Sequence, residues 1–80
     1  MKAELWTWTY CPFCVRAKDL LDRRGVEYTE HVMDGKDAEL NEVKAKYSHP
    51  SVPIILIDGE FIGGCSELIA LDKAGGLNAA

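Results

Sequence analysis

Two cysteines separated by two residues lie at the boundary between a strand-like and a helix-like stretch of this sequence. Glu4 to Tyr10 is rich in aromatic and β-branched residues and predicts a strand. Cys11-Pro12-Phe13-Cys14 follows directly, and beyond it Ala17 and Leu21 recur at helical spacing. Because proline is favoured in the first turn of a helix, we expect the cysteine pair to lie where the strand ends and the helix begins.

The next elements predict a strand–helix–strand unit. Gly25 ends the first helix, and Val26 to Met33 predicts a second strand, which should run parallel to the first. Asp34 and Asp37 are the candidate N-caps of a second helix that Pro50 closes.

The last third of the chain predicts a hairpin and a final helix. Val52 to Ile57 is an almost continuous apolar run, typical of a buried strand. Asp58-Gly59 favours a two-residue turn into a strand that continues through Ile62. Ser66 is the candidate cap of a helix that ends near Gly75-Gly76. The order is therefore β-α-β-α-β-β-α, an α/β fold in which three helices flank a four-stranded mixed sheet.

Composition limits the class of protein. Eighty residues, 48% of them apolar, predict one domain over residues 1–80. Thirteen acidic residues against nine basic ones argue against a nucleic-acid partner. No apolar run approaches the roughly 18 residues of a membrane span, and Met1 to Leu5 lacks a secretory signal pattern. Three cysteines do not make the disulfide framework of a secreted domain, so we expect a cytoplasmic protein. We also expect it to be a monomer.

The position of the cysteine pair predicts redox chemistry. A thiol at a helix N-terminus faces unpaired backbone N–H groups and the positive end of the helix dipole, both of which favour the thiolate. We therefore predict that Cys11 is the nucleophile and that Cys14, one turn further in, is the resolving thiol. Arg16 and Lys18 add positive charge nearby. Cys11 would attack a substrate disulfide, and a second thiol would release the resulting mixed disulfide.

Two alternatives compete with this interpretation. A structural zinc site needs four ligands, and Cys65, His31 and His49 have no zinc-like spacing, so we expect no metal. The cysteines could instead be buried structural thiols, but Pro12 and the strand-to-helix position argue against that.

Three motifs resemble those of the glutaredoxin family, and the resemblance covers essentially the whole chain. Cys11-Pro12-Phe13-Cys14 resembles the C-P-Y-C dithiol, Ser51-Val52-Pro53 the T-V-P segment, and Gly63-Gly64-Cys65-Ser66 the G-G-C-D or G-G-S-D segment. The resemblance implies a thioredoxin-like fold with Pro53 in the cis form. It also implies an oxidoreductase that uses glutathione to reduce protein disulfides and glutathionylated proteins.

The resemblance further implies a glutathione site. An extended tripeptide would pair with the backbone of Val52 like an added strand, and the first N–H groups of the last helix would bind its γ-glutamyl carboxylate. The implied glutathione contacts are Phe13, Val52, Pro53, Gly64, Cys65 and Ser66.

Four positions depart from the family pattern. Ser66 stands where aspartate is common, and Trp8 stands where lysine is common. His49 and Pro50 occupy positions where the family often has glutamine and arginine. Each departure falls on a contact to a charged group of glutathione.

Two other functions remain open from the sequence. A redoxin of the same fold could take its electrons from a thioredoxin reductase, and a coupled assay with each reductant separates the two. The chain could also hold an iron–sulfur cluster between two monomers with glutathione as co-ligand, as some relatives do, although Pro12 and Cys14 argue against that role.

Overall fold

Strands and helices alternate in the predicted order in the computed structural model, which describes residues 1–77. The elements are β1 (Lys2–Thr7), α1 (Pro12–Arg23), β2 (Glu27–Val32), α2 (Asp37–Tyr47), β3 (Ile54–Ile57), β4 (Glu60–Gly63) and α3 (Cys65–Lys73). Among these helices none has the length and apolar content needed to cross a membrane.

The four strands form one mixed sheet in the order β2-β1-β3-β4. β1 runs parallel to β2 and antiparallel to β3, and β3 runs antiparallel to β4. β1 is therefore an inner strand, with Leu5 paired to Glu30 on one side and to Ile55 on the other. Since α1 begins five residues after β1 ends, the cysteine pair lies at an end of the sheet's interior rather than at an edge strand.

Each face of the sheet has its own apolar core. The α1–α3 core consists of Ala3, Leu5, Ala17, Leu21, Val26, Ile55, Ile57, Cys65, Leu68 and Leu77. On the opposite face the α2 core consists of Met33, Leu40 and Ile54, with Trp6, Tyr47 and Phe61 packed against it. Full burial of one leucine side chain stabilises the fold by about 1.5–3 kcal/mol, so these cores hold the helices firmly on the sheet.

The first strand is shifted relative to the prediction. The sequence predicts it over Glu4 to Tyr10, and the structure places it at Lys2–Thr7. The reason lies just beyond Thr7, where the backbone N–H and the hydroxyl of Thr9 both donate hydrogen bonds to the carboxylate of Asp34. Thr9 therefore bonds to a side chain instead of to a neighbouring strand, and Asp34, engaged here, is not a helix cap.

The predicted N-caps of α2 were also wrong, whereas the helix does end before Pro50. Lys36 occupies its N-cap position without a side-chain cap, and Asp37 is its first residue. The helix ends at Tyr47 because Ser48 adopts a left-handed conformation with φ of 53°, two residues before Pro50.

The hairpin and last helix differ by one or two residues. β3 begins at Ile54 rather than Val52, which is consistent with Pro53 having no N–H to donate to a sheet. α3 begins at Cys65 with Gly64 as its cap, so Ser66 is inside the first turn and was wrongly predicted as the cap. The carboxylate of Glu67 accepts a hydrogen bond from the Gly64 N–H at 2.6 Å, which satisfies that amide without a serine.

Candidate active site

Cys11 is the N-cap of α1, as the sequence predicts. Its backbone is extended, and Pro12 follows as the first helical residue. The Cys14 N–H donates a hydrogen bond to Sγ of Cys11 at 3.2 Å, and the Val15 N–H donates to the Cys11 carbonyl at 3.0 Å. The first turn of α1 carries no acidic side chain. The sulfur of Cys11 therefore lies at the positive end of the helix, with no carboxylate in that turn to oppose the dipole.

The two thiols differ in environment. Cys11 is 8% exposed and Cys14 is completely buried, and neither is in a disulfide. Burial raises the pKa of Cys14, and the hydrogen bond with Cys11 raises it further. Cys14 therefore stays protonated at neutral pH, and Cys11 offers the more accessible sulfur.

A cavity of about 280 Å³ is lined by Phe13, which lies between the two cysteines in the sequence, although neither Cys11 nor Cys14 lines it. Phe13 from α1, the segment before β3 and the start of α3 surround it. It contains all six residues predicted to contact glutathione, namely Phe13, Val52, Pro53, Gly64, Cys65 and Ser66. His49, Ser51 and Glu67 line it as well, although they were not among the predicted contacts. These three residues could have been predicted from their position in the sequence, because each lies within a few residues of Val52-Pro53 or Gly64.

The wall formed by Val52 and Pro53 has the conformation that the resemblance implies. The peptide bond between these two residues is cis, and Pro53 is buried. A Cβ added to Gly64 would lie 3.2 Å from both the Pro53 carbonyl oxygen and Nε2 of His49. Glycine at this position therefore lets the start of α3 approach both neighbours closely.

Gly63 is required for a different reason. Its φ of +124° is rarely adopted by other residues, and a Cβ there would lie 2.5 Å from Cγ of Glu67. The Glu67 side chain thus packs over Gly63 and Gly64, and its carboxylate accepts a hydrogen bond from the Gly64 N–H. The first amides of a helix have no carbonyl partner within the helix, so the remaining N–H groups of this turn can serve an anion in the cavity.

Cys65 is the third thiol and the first residue of α3. It is 6% exposed, and burial raises its pKa, while Arg16 partly offsets that effect. Cys65 therefore contributes a protonated thiol to the cavity wall.

Other residues considered from the sequence lie outside the cavity lining. Trp8 stacks on Tyr10 with ring centroids 6.2 Å apart, and Nζ of Lys44 lies 5.6 Å from the Trp8 ring. His31 bonds to Glu4 at 2.7 Å beside the α2 core.

Comparison with known proteins agrees with this geometry. The sequence model of the Glutaredoxin family matches residues 3–62. A probable glutaredoxin of Synechocystis is 48% identical over 79 residues, which cover 96% of this chain and 89% of the relative. Glutaredoxin 3 of Escherichia coli K12 is 44% identical over 75 residues, covering 94% of this chain and 90% of the relative.

Solved structures give the same result. A dithiolic glutaredoxin of Trypanosoma brucei brucei, 44% identical, superimposes with a TM-score of 0.83 over 94% of this chain and 80% of its own. A buckwheat glutaredoxin in complex with glutathione, 29% identical, superimposes with a TM-score of 0.88 over 94% of this chain and 71% of its own.

Proposed function

Because the chain belongs to the glutaredoxin family and is a glutathione-dependent thiol–disulfide oxidoreductase, we propose that Cys11 is its nucleophile and Cys14 its resolving thiol. The observation that carries this assignment is the asymmetry of the pair. Cys11 caps α1 with its sulfur at the helix terminus, whereas Cys14 is fully buried one turn further in. Only the first position combines access for a substrate with the dipole that favours a thiolate.

The reaction with a protein disulfide takes two exchanges. The Cys11 thiolate attacks one sulfur of the substrate, the substrate S–S bond breaks, and the leaving sulfur takes up a proton. Cys14 then attacks Sγ of Cys11, which releases the second substrate sulfur and forms the Cys11–Cys14 disulfide. Two molecules of glutathione restore the dithiol, and glutathione disulfide leaves.

A glutathionylated substrate needs only Cys11. The thiolate attacks the glutathione sulfur, the substrate thiol leaves, and a second glutathione releases the first one from Cys11. Cys14 takes no part in this cycle. The role of Cys14 can therefore be distinguished from that of Cys11 by comparing the two classes of substrate.

We assign glutathione to the cavity lined by Phe13, Val52 and the start of α3. The Val52 backbone would pair with the extended tripeptide, and the amides of Cys65 and Ser66 would bind the γ-glutamyl carboxylate. The buckwheat relative, whose structure is a complex with glutathione, supports this assignment. Glu67 also lines the cavity, and its carboxylate, which accepts a hydrogen bond from the Gly64 N–H, would supply the negative charge that Ser66 lacks.

The proposed partners are disulfide-bonded and glutathionylated proteins. We propose that the protein acts on them as a monomer in the cytoplasm. The support is chemical. The working state of the dithiol is the reduced one, and a reducing compartment with abundant glutathione maintains it.

A glutathione-coupled turnover assay tests the proposal. Wild-type protein, glutathione, glutathione reductase and NADPH are mixed with a small glutathione mixed disulfide, and NADPH consumption is followed. We expect turnover that Cys11→Ser abolishes, while Arg23→Gln, an exposed change on the same helix, leaves the rate unchanged. Turnover with thioredoxin reductase but none with glutathione would overturn the proposal.

A further inference from the structure

A small polar network lies on the sheet face that carries α1. The hydroxyl of Thr7, at the end of β1, donates to Oε2 of Glu30 on β2 at 2.6 Å. Nζ of Lys18 from α1 lies 3.0 Å from the same oxygen. Thr7 is completely buried, and the Lys18 and Glu30 side chains are 27% and 23% exposed. Glu30, which also accepts a hydrogen bond from Thr7, therefore holds the Lys18 ammonium between helix and sheet instead of leaving it free in solvent.

Lys18 is the residue one helical turn after Cys14. Side chains four residues apart on a helix are neighbours, with roughly 5–6 Å between their Cβ atoms. Both side chains lie on the face of α1 that is turned towards the sheet, where Cys14 is fully buried. The charge of Lys18 also lowers the pKa of Cys14, against the larger effect of burial, which raises it.

We propose that Lys18 assists the attack of Cys14 on Cys11 by offsetting the negative charge that develops on the buried sulfur, with Glu30 and Thr7 as the positioning residues that hold its ammonium. This inference rests on the proposed roles of the two thiols. It assigns a function to a part of the molecule that lies outside the glutathione cavity.

The step balances within the mixed disulfide. The sulfur of Cys14 forms a bond to Sγ of Cys11 and loses its proton, the bond between Cys11 and the substrate breaks, and the substrate sulfur leaves as a thiol carrying one proton. Charge builds on the Cys14 sulfur during this exchange. In the poorly solvated interior, a fixed cation stabilises that charge more than it would in water.

The other charged and titratable groups near this network are few. Cys11 lies on α1, and Asp19 and Asp22 lie on the same helix beyond Lys18, while Tyr28 is on β2. Lys18 is the cation whose charge lowers the pKa of Cys14. The hydrogen bond with Glu30 raises the pKa of Lys18 although burial lowers it, so the ammonium stays charged during turnover.

The test compares two substrates for the same variants. Reduction of a protein disulfide needs Cys14, and reduction of a small glutathione mixed disulfide does not. We expect Lys18→Gln to lower the first rate about tenfold, as removal of one nearby charge in a partly buried site allows. The mixed-disulfide rate should stay at the wild-type value. Lys18→Arg should restore most of the lost rate, because it returns the positive charge.

Two further variants separate this role from a structural one. Glu30→Gln keeps the cation but releases its tether, so the protein-disulfide rate should fall by less than in Lys18→Gln. Arg23→Gln removes an exposed charge from the same helix and should change neither rate. The deficit of Lys18→Gln should shrink as pH rises and Cys14 ionises without help.

The results distinguish the possible failures. Equal losses with both substrates, or no loss with either, would overturn the role of Lys18. If Lys18→Gln does not fold, Glu30→Gln tests the same role through the ratio of the two rates. Wild-type protein inactive on the mixed disulfide would instead contradict the proposed function itself.

Discussion

The backbone N–H of Cys14 donates a hydrogen bond to the sulfur of Cys11 across 3.2 Å. Cys14, the proposed resolving residue, thus contacts the sulfur of the proposed nucleophile through its backbone amide. Its own sulfur stays buried and protonated. The amide and the thiol of Cys14 therefore have different roles, and substitution of the side chain tests the thiol alone.

Replacing Cys14 by serine should separate the two activities. The amide of residue 14 remains, so Cys11 keeps its hydrogen bond and still reduces a glutathione mixed disulfide at about the wild-type rate. Reduction of a protein disulfide that needs both thiols should be lost. The two rates measured side by side are sufficient, and the opposite pattern would show that the roles are exchanged.

The cavity should respond to a single methyl group. Gly64→Ala places a Cβ 3.2 Å from the Pro53 carbonyl oxygen and from His49. We expect KM for a glutathionylated substrate to rise several-fold, while Cys11 still reacts normally with a small alkylating reagent. An unchanged KM would mean that glutathione binds elsewhere.

Stability of the reduced protein should fall in alkali. Burial raises the pKa of Cys14 above that of an unfolded cysteine, so the unfolded chain loses its proton first as pH rises. The contribution of this thiol to the free energy of unfolding is therefore complete below about pH 8.5 and is lost as pH rises through the folded pKa.

Urea unfolding at about pH 8 and about pH 10 measures this loss. Cys14→Ser should lose less stability between the two pH values than the wild type does. Cys65 and Tyr28 leave a remainder, because burial raises their pKa values too. If Cys14→Ser lost as much unfolding free energy between the two pH values as the wild type does, Cys14 would be excluded as a cause of the alkaline loss of stability.

The packing of α3 against the rest of the fold should depend on one buried leucine. Leu68 is fully buried in the α1–α3 core, whereas its neighbour Ile69 is 37% exposed. We expect Leu68→Ala to lower the free energy of unfolding by about 2–5 kcal/mol, the usual range for leucine truncation in a core. Ile69→Ala is the matched control and should cost about 1 kcal/mol or less, because its side chain is already partly solvated. Equal losses would contradict the assigned packing.

Local patterns predicted the order of the elements and the dithiol because both depend on neighbouring residues. The strand-to-helix junction at Cys11 and the turn at Asp58-Gly59 carry their signals within a few positions. The resemblance of the three motifs also pointed to six of the nine residues that line the cavity, whereas His49, Ser51 and Glu67 were not among the predicted contacts.

Contacts between distant residues were not predictable in this way. The bonds from Thr9 to Asp34 end the first strand early, and no local pattern links those two positions. The Glu67 carboxylate accepts a hydrogen bond from the Gly64 N–H, so α3 is capped at Gly64 and not at Ser66 as predicted. Lys18 was noted only as a nearby charge, because its partner Glu30 and their common neighbour Thr7 lie on two different strands.

Alkylation of the reduced protein as a function of pH tests the central assignment most directly. The protein is treated briefly with iodoacetamide, and the modified cysteines are located by peptide mass spectrometry. We predict that Cys11 is labelled first at neutral pH, while Cys14 and Cys65 are labelled only under alkaline or denaturing conditions. Labelling of Cys14 before Cys11, or equal labelling of both at neutral pH, would contradict the account.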